Sequence, residues 1–112
     1  MKNLYISGIT GRVGSLLADK VIDDDFFKLI GGSSSETSKY KGKDIGFLLN
    51  RESLNIHIDS DYPTDLKIDI IVDFSSADSS LDLLNKYRHR GIPVLIGTTG
   101  FTQSQLEEIK QI

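Results

Sequence analysis

The sequence predicts an α/β fold, a doubly wound parallel sheet with helices on both faces. Three observations predict it. Residues 5–17 read Tyr-Ile-Ser-Gly-Ile-Thr-Gly-Arg-Val-Gly-Ser-Leu-Leu, an apolar β-prone start, three glycines and then an apolar pattern that suits a helix. Ile70-Ile71-Val72 and Val94-Leu95-Ile96 are short, near-continuous apolar runs, as expected of parallel strands covered on both faces. Between these two runs lies a stretch of helical period, so strand, helix and strand follow one another as a right-handed crossover unit.

In chain order, residues 4–7 form the first strand. A helix follows over residues 11–22, with Val13, Leu16, Leu17 and Val21 at helical spacing. Asp23-Asp24-Asp25 ends it in a solvated turn. Residues 26–31 form the second strand. Residues 32–43, rich in serine and lysine, form a polar loop and the best candidate for mobility. Residues 44–50 are ambiguous in type. Residues 54–58 alternate apolar and polar and read as a third strand, with His57 on its polar side. Residues 61–65 form a loop, and residues 68–74 a fourth strand, buried by composition. Ser75-Ser76-Ala77-Asp78 matches a capping box, opening a helix that carries Leu81, Leu83, Leu84 and Tyr87 and stops at Gly91. Residues 94–96 form the fifth strand. Thr102 with Gln105 is a second capping box, and Leu106, Ile109 and Ile112 begin a last helix.

The chain of 112 residues suits one domain with a modest core. It carries 13 Lys and Arg against 16 Asp and Glu, for a net charge of −3, and no cysteine. That excludes a thiolate metal site and a disulfide framework, and no other metal-ligand spacing is visible. The basic residues are scattered apart from Lys86, Arg88, His89 and Arg90, at a helix end where they complement the dipole. No nucleic-acid partner is therefore expected. No apolar run is long enough to span a bilayer and no signal-peptide pattern opens the chain, so no membrane partner and a cytoplasmic location are expected.

The glycine stretch carries the chemistry. A strand that turns into a helix leaves the first N–H groups of that helix without partners, and with the helix dipole they form an anion site. Gly8 permits the sharp turn, Gly11 removes a side chain where a diphosphate approaches, and Gly14 lets the helix lie close to its strand. The spacing is G-x-x-G-x-x-G, with Thr10 in place of a middle glycine. In an open parallel sheet, ligands bind beyond the carboxyl ends of the strands, where the strand order switches. Three loops converge there: residues 8–14, 74–76 and 97–100. The last presents backbone amides and the hydroxyls of Thr98 and Thr99 where a nicotinamide ring would lie. The fold class is thus Rossmann-type, and the cofactor expected is NADH or NADPH.

The same loops carry a family resemblance. Gly8-Ile9-Thr10-Gly11-Arg12-Val13-Gly14, Asp73-Phe74-Ser75 and Gly97-Thr98-Thr99-Gly100-Phe101 are similar to the G-x-x-G-R-M-G, D-F-[ST] and G-T-T-G-[FY] motifs of dihydrodipicolinate reductase, with Val13 replacing methionine. That enzyme, also called 4-hydroxy-tetrahydrodipicolinate reductase, acts in diaminopimelate and lysine synthesis. The resemblance covers the whole chain but less than half of a usual member. It implies an oxidoreductase in which Gly8, Ile9, Thr10, Gly11, Arg12 and Val13 wrap the cofactor diphosphate, with Arg12 near the adenosine end. Phe74 and Ser75 join the cofactor site, while Gly97, Thr98 and Thr99 hold the nicotinamide, and Thr99 also faces the substrate, a cyclic dicarboxylate. The family's acidic ribose-binding position falls at about Ser34 and Ser35, with Glu36 near, and a second basic position falls at Ser76. The resemblance further implies that residues 1–112 form the dinucleotide-binding domain, and that the family's His-His-x-x-Lys segment lies beyond it in a substrate domain. No catalytic residue is expected in this chain, which alone should not turn over, and a homotetramer is expected only of the intact enzyme. Two other readings are an extended short-chain dehydrogenase, which shares the glycine spacing, and a non-catalytic nucleotide-binding module. The first needs Tyr-x-x-x-Lys, and Tyr5, Tyr40, Tyr62 and Tyr87 are followed at that distance by Ile9, Asp44, Leu66 and Gly91.

Overall fold

A computed structural model describes residues 1–98 and 100–111. The elements are β1 (Lys2–Ser7), α1 (Arg12–Ile22), β2 (Phe27–Ser33), α2 (Ile45–Leu48), β3 (Ile70–Asp73), α3 (Ala77–Tyr87), β4 (Val94–Ile96) and α4 (Gln103–Lys110). The four strands are all parallel, in the order β2-β1-β3-β4. The order switches between β1 and β3. From there, one crossover runs through α1 to β2 and the other through α3 to β4.

Alternation along the strands sorts the core into two layers. Leu4, Ile6 and Val72 pack with Ala18 and Val21 of α1. Tyr5 and Ile71 pack on the other face with Leu83 and Tyr87 of α3. The β1–β2 register shifts between Leu4, opposite Leu29, and Tyr5, opposite Gly31. Ile30 is the extra residue of a bulge, and the Tyr5 ring fills the place beside Gly31 where a Cβ would lie 2.7 Å away.

Several expectations need correction. Residues 54–58 do not form a strand of the sheet. His57 makes only an isolated bridge to Asp44, and Asp59 one to Ser33. The physical reason is one carboxylate. Asp44 accepts from Leu54 N–H (2.9 Å) and Ile56 N–H (3.2 Å), taking alternate donors that a neighbouring strand would have used. Asn55, at φ 57°, breaks the extended run between them. The same side chain caps α2 through Gly46 N–H (2.7 Å), which settles residues 44–50 as a single helical turn. Hydrogen bonds from these amides, Leu54 first, hold the Asp44 carboxyl below its ordinary range.

The buried face of α1 is Gly14, Ala18 and Val21, whereas Val13 and Leu16 are exposed. The helical period holds, with Leu17 and Val21 on the core, and the close approach at Gly14 and Ala18 leaves Val13 and Leu16 outside. Helix α3 is capped by Ser76, whose side chain accepts from Ser79 N–H (3.2 Å), one residue later than expected, because Ser75 is drawn back to Asp73. The second capping box, Thr102 with Gln105, is present with both of its bonds. Strand β2 extends to Ser33, and residues 34–43 continue as successive turns, with Gly42 N–H on Ile58 O and Ile58 N–H on Lys43 O. The acidic run after α1 is structural: Asp24 accepts from Phe26 and Phe27 N–H, both at 2.8 Å, and Asp23 pairs with Arg51 at 2.9 Å. Of the basic cluster, Lys86 pairs with Asp61 at 3.2 Å and Arg90 donates to Thr64 O and Leu66 O, so these side chains tie down the loop before β3.

Candidate nucleotide site

The first turn is built from backbone alone. Gly8 follows β1 at φ 79°, a left-handed conformation that a side chain disfavours. Its N–H and that of Ile9 both donate to Ser33 O at 3.0 Å, which ties the end of β1 to the end of β2. Gly11 is the N-cap of α1 and brings no side chain to cap it. Among the described residues, the N–H groups of Arg12, Val13 and Gly14 have no acceptor, so the positive end of α1 is open. A Cβ on Gly14 would lie 2.3 Å from Gly8 O, so only glycine lets the helix sit this close. A Cβ on Gly11 would meet nothing nearer than Gly8 O at 3.5 Å. The chain's own packing does not require glycine there; what the bare Cα leaves is open cleft surface.

The second and third turns are built from side chains. Asp73 ends β3 fully buried. One carboxylate oxygen accepts from Ser75 N–H (3.1 Å) and Ser75 Oγ (2.6 Å). The other accepts from Ser80 Oγ and from Thr98 Oγ1 at 3.3 Å. Ser80 Oγ and Thr98 Oγ1 are themselves 3.0 Å apart. Gly97 N–H donates to Asp73 O at 2.8 Å, and a Cβ on Gly97 would strike the Phe74 ring at 2.4 Å. A Cβ on Gly8 would lie 2.6 Å from Phe74 O. The turns after β1, β3 and β4 therefore touch, at the switch in strand order.

Above them opens a cleft of about 410 Å³. Gly8, Thr10 and Gly11 line it from the first turn, Phe74, Ser75, Ser76 and Ser79 from the β3–α3 junction, and Ser33, Ser34, Ser35, Glu36 and Ser60 from the β2 side. At that rim Glu36 pairs with Lys41, and the bonds from Lys41 and Ser60 hold the Glu36 carboxyl below its ordinary range. Behind the cleft, the Tyr62 hydroxyl shares hydrogen bonds with Ser7 Oγ (2.7 Å) and Ser79 Oγ (2.6 Å). Tyr5 donates to Asp59 at 2.9 Å, and burial pushes both of those groups upward.

Of the expected cofactor residues, Gly8, Thr10, Gly11, Ser34, Phe74 and Ser75 line this cleft. Gly97 and Thr98 stand beside it, joined to Phe74 and Asp73. Arg12 and Val13 are on the exposed first turn of α1. Ile9 is fully buried among core residues with its N–H committed to Ser33, so its side chain supports the turn from beneath. Thr99 lies outside the described residues. Ser60 and Ser79 were not anticipated. Ser79 stands three residues after Ser76, one helical turn on, a signal the sequence did hold. Ser60 arrives through the Ser33–Asp59 bridge, which no local pattern announces. Among the described residues no group of three or more His, Cys, Asp and Glu is placed to hold a metal, and no helix is long and apolar enough to cross a membrane.

Residues 2–112 match the family described as dihydrodipicolinate reductase, N-terminus. The chain is 33% identical over 108 residues to the 4-hydroxy-tetrahydrodipicolinate reductase of Alkaliphilus oremlandii, covering 96% of this chain and 36% of that enzyme. It is 30% identical to the enzymes of the same name from Methanopyrus kandleri, covering 98% of this chain and 41% of that one, and from Syntrophobacter fumaroxidans, covering 100% and 42%. The chain thus spans about two fifths of the length of these relatives. In fold it is similar to aspartate semialdehyde dehydrogenase from Candida albicans, solved with NADP, at a TM-score of 0.68 and 17% identity, over 88% of this chain and 30% of that one. On the family match over nearly its whole length, with the three motif-bearing turns gathered at one sheet end, the chain belongs to the dihydrodipicolinate reductase family and corresponds to its N-terminal part.

Proposed function

We propose that this chain is the dinucleotide-binding part of an enzyme that reduces 4-hydroxy-tetrahydrodipicolinate to tetrahydrodipicolinate with NADH or NADPH. The observation that carries the reading is the meeting of the open α1 N-terminus with the turns after β3 and β4 at one cleft. The residues present fit the cofactor. Three free N–H groups and the bare Cα of Gly11 suit a diphosphate. When bound, the cofactor supplies hydride chemistry to an electron-poor ring carbon of the cyclic dicarboxylate. This chain's residues bind and orient: Arg12, Val13 and Gly14 through N–H groups, Thr10 and Gly11 through the cleft wall, and Gly97 and Thr98 at the nicotinamide end, with Thr99 beside the substrate. The proton donor is assigned to the substrate domain.

At the adenosine end, Glu36 stands about 20 residues beyond the glycine loop, where an acid accepts from ribose hydroxyls. Its carboxylate favours NADH, because a 2′-phosphate would have to displace it from Lys41. Calorimetric titration of the chain with NADH and NADPH tests the reading. The expected result is binding of both, NADH the tighter, with Glu36→Ala narrowing the difference, and no turnover of substrate. Failure of both dinucleotides to bind would overturn it.

A further inference from the structure

We infer that Asp73 is a positioning residue that turns the Thr98 and Ser75 hydroxyls into hydrogen-bond acceptors, so that this side of the cleft selects a ligand bearing a primary amide. The inference rests on the dinucleotide reading and deepens it, since the nicotinamide carboxamide is such a group.

The argument is a count of hydrogens. A carboxylate offers about four acceptor positions and no donor. Asp73 has four donors around it: Ser75 N–H at 3.1 Å, Ser75 Oγ at 2.6 Å, Ser80 Oγ, and Thr98 Oγ1 at 3.3 Å. Ser75 has one hydroxyl hydrogen, and Asp73 takes it. Ser80 and Thr98 have one each. Either Ser80 donates to Asp73 while Thr98 donates to Ser80 or Asp73, or Ser80 donates to Thr98, 3.0 Å away, and Thr98 donates to Asp73. Both arrangements spend every hydroxyl hydrogen inside the cluster. The outward side of Thr98 and Ser75 therefore carries lone pairs alone. Ser75 lines the cleft, and Thr98, half-buried just after β4, is held next to Ser75 through the Asp73 carboxylate they share. An N–H₂ group finds acceptors in these two hydroxyls, and a methyl group in its place makes no hydrogen bond to them.

Asp73→Asn reads this directly. The Ser75 N–H requires an acceptor, so the amide oxygen of Asn takes that side and its N–H₂ faces Ser80 and Thr98. Asn then donates where Asp accepted, and one hydroxyl hydrogen at Thr98 is released outward. The probes are NADH and reduced 3-acetylpyridine adenine dinucleotide, in which a methyl ketone replaces the carboxamide. The wild-type chain should bind NADH about fivefold to tenfold more tightly than the acetyl form, the worth of one hydrogen bond. Asp73→Asn should reduce that ratio to about one, chiefly by improving the acetyl form, a change that mere structural damage would not produce. Should the Asn chain not fold, Thr98→Val, which deletes the acceptor at nearly equal volume, should collapse the ratio instead. A wild-type ratio of one, or a ratio unchanged in whichever of these variants folds, would overturn the role given to Asp73. Binding of neither dinucleotide by the wild-type chain would instead remove the dinucleotide reading beneath it.

Discussion

The two halves of the sheet reach the cleft by opposite means. The β1-α1-β2 half clears side chains away: Gly8, Gly11 and Gly14 leave bare backbone, and among the described residues the N–H groups of Arg12, Val13 and Gly14 are unpaired. The β3-α3-β4 half fills its side with side chains, a buried carboxylate holding three hydroxyls. Backbone donors suit an anion of any identity, while oriented hydroxyls discriminate between donors and acceptors. The first half is built for grip and the second for selection, so damage to each should show in different measurements.

The largest effect should come from the glycine half. Gly14→Ala places a Cβ 2.3 Å from Gly8 O, backbone that cannot yield without moving α1 off β1. A loss of roughly 3 kcal/mol or more in denaturant unfolding is expected, within the range of overpacked cores. In the other half, Ser80→Ala removes a fully buried hydroxyl from Asp73. It should cost about 1–3 kcal/mol, the range for leaving a buried group short of a partner. Gly11→Ala separates grip from folding. Its φ of −75° and 3.5 Å clearance predict stability unchanged within about 0.5 kcal/mol, while calorimetry should find dinucleotide binding weakened about tenfold, because the added methyl stands in the path of the diphosphate. The smallest effect lies outside both halves. Asp44 has its pKa lowered by the Leu54, Gly46 and Ile56 amides and by Ser53, so it stabilises the fold above the ordinary carboxylate range and loses that contribution as pH falls through its folded pKa. Asp44→Ala should lower the urea midpoint at neutral pH, and the gap from wild type should close on acidification below about pH 4.

The same contrast explains what was legible in the sequence. Glycine spacing is local, so the first turn, its anion geometry and the crossover units were readable from neighbouring letters. The hydroxyl half depends on pairs far apart in the chain, such as Asp73 with Thr98 and Tyr62 with Ser7 and Ser79. The motif Asp73-Phe74-Ser75 could be recognised, yet nothing in it told that Ser75 would abandon the helix cap to Ser76. Residues 54–58 failed for a related reason. Their alternation is real, with Ile56 half-buried and Ile58 buried, but Asp44 had taken the amides that pairing requires. On α1, periodicity identified the helix, and close approach at Gly14 turned Val13 and Leu16 outward.

The extra residue at Ile30 has a consequence for how this chain tolerates change. Because Ile30 and Gly31 both face the α3 layer, Gly32 turns to the α1 side against Ile9 and Ser33 reaches the cleft. Deleting one residue from β2 would erase the kink, pull the serine-bearing rim back by about 3.3 Å and, on whichever side of the deletion the pairing slipped, exchange inward for outward side chains. A one-codon deletion here should therefore act on ligand affinity even in a chain that still folds.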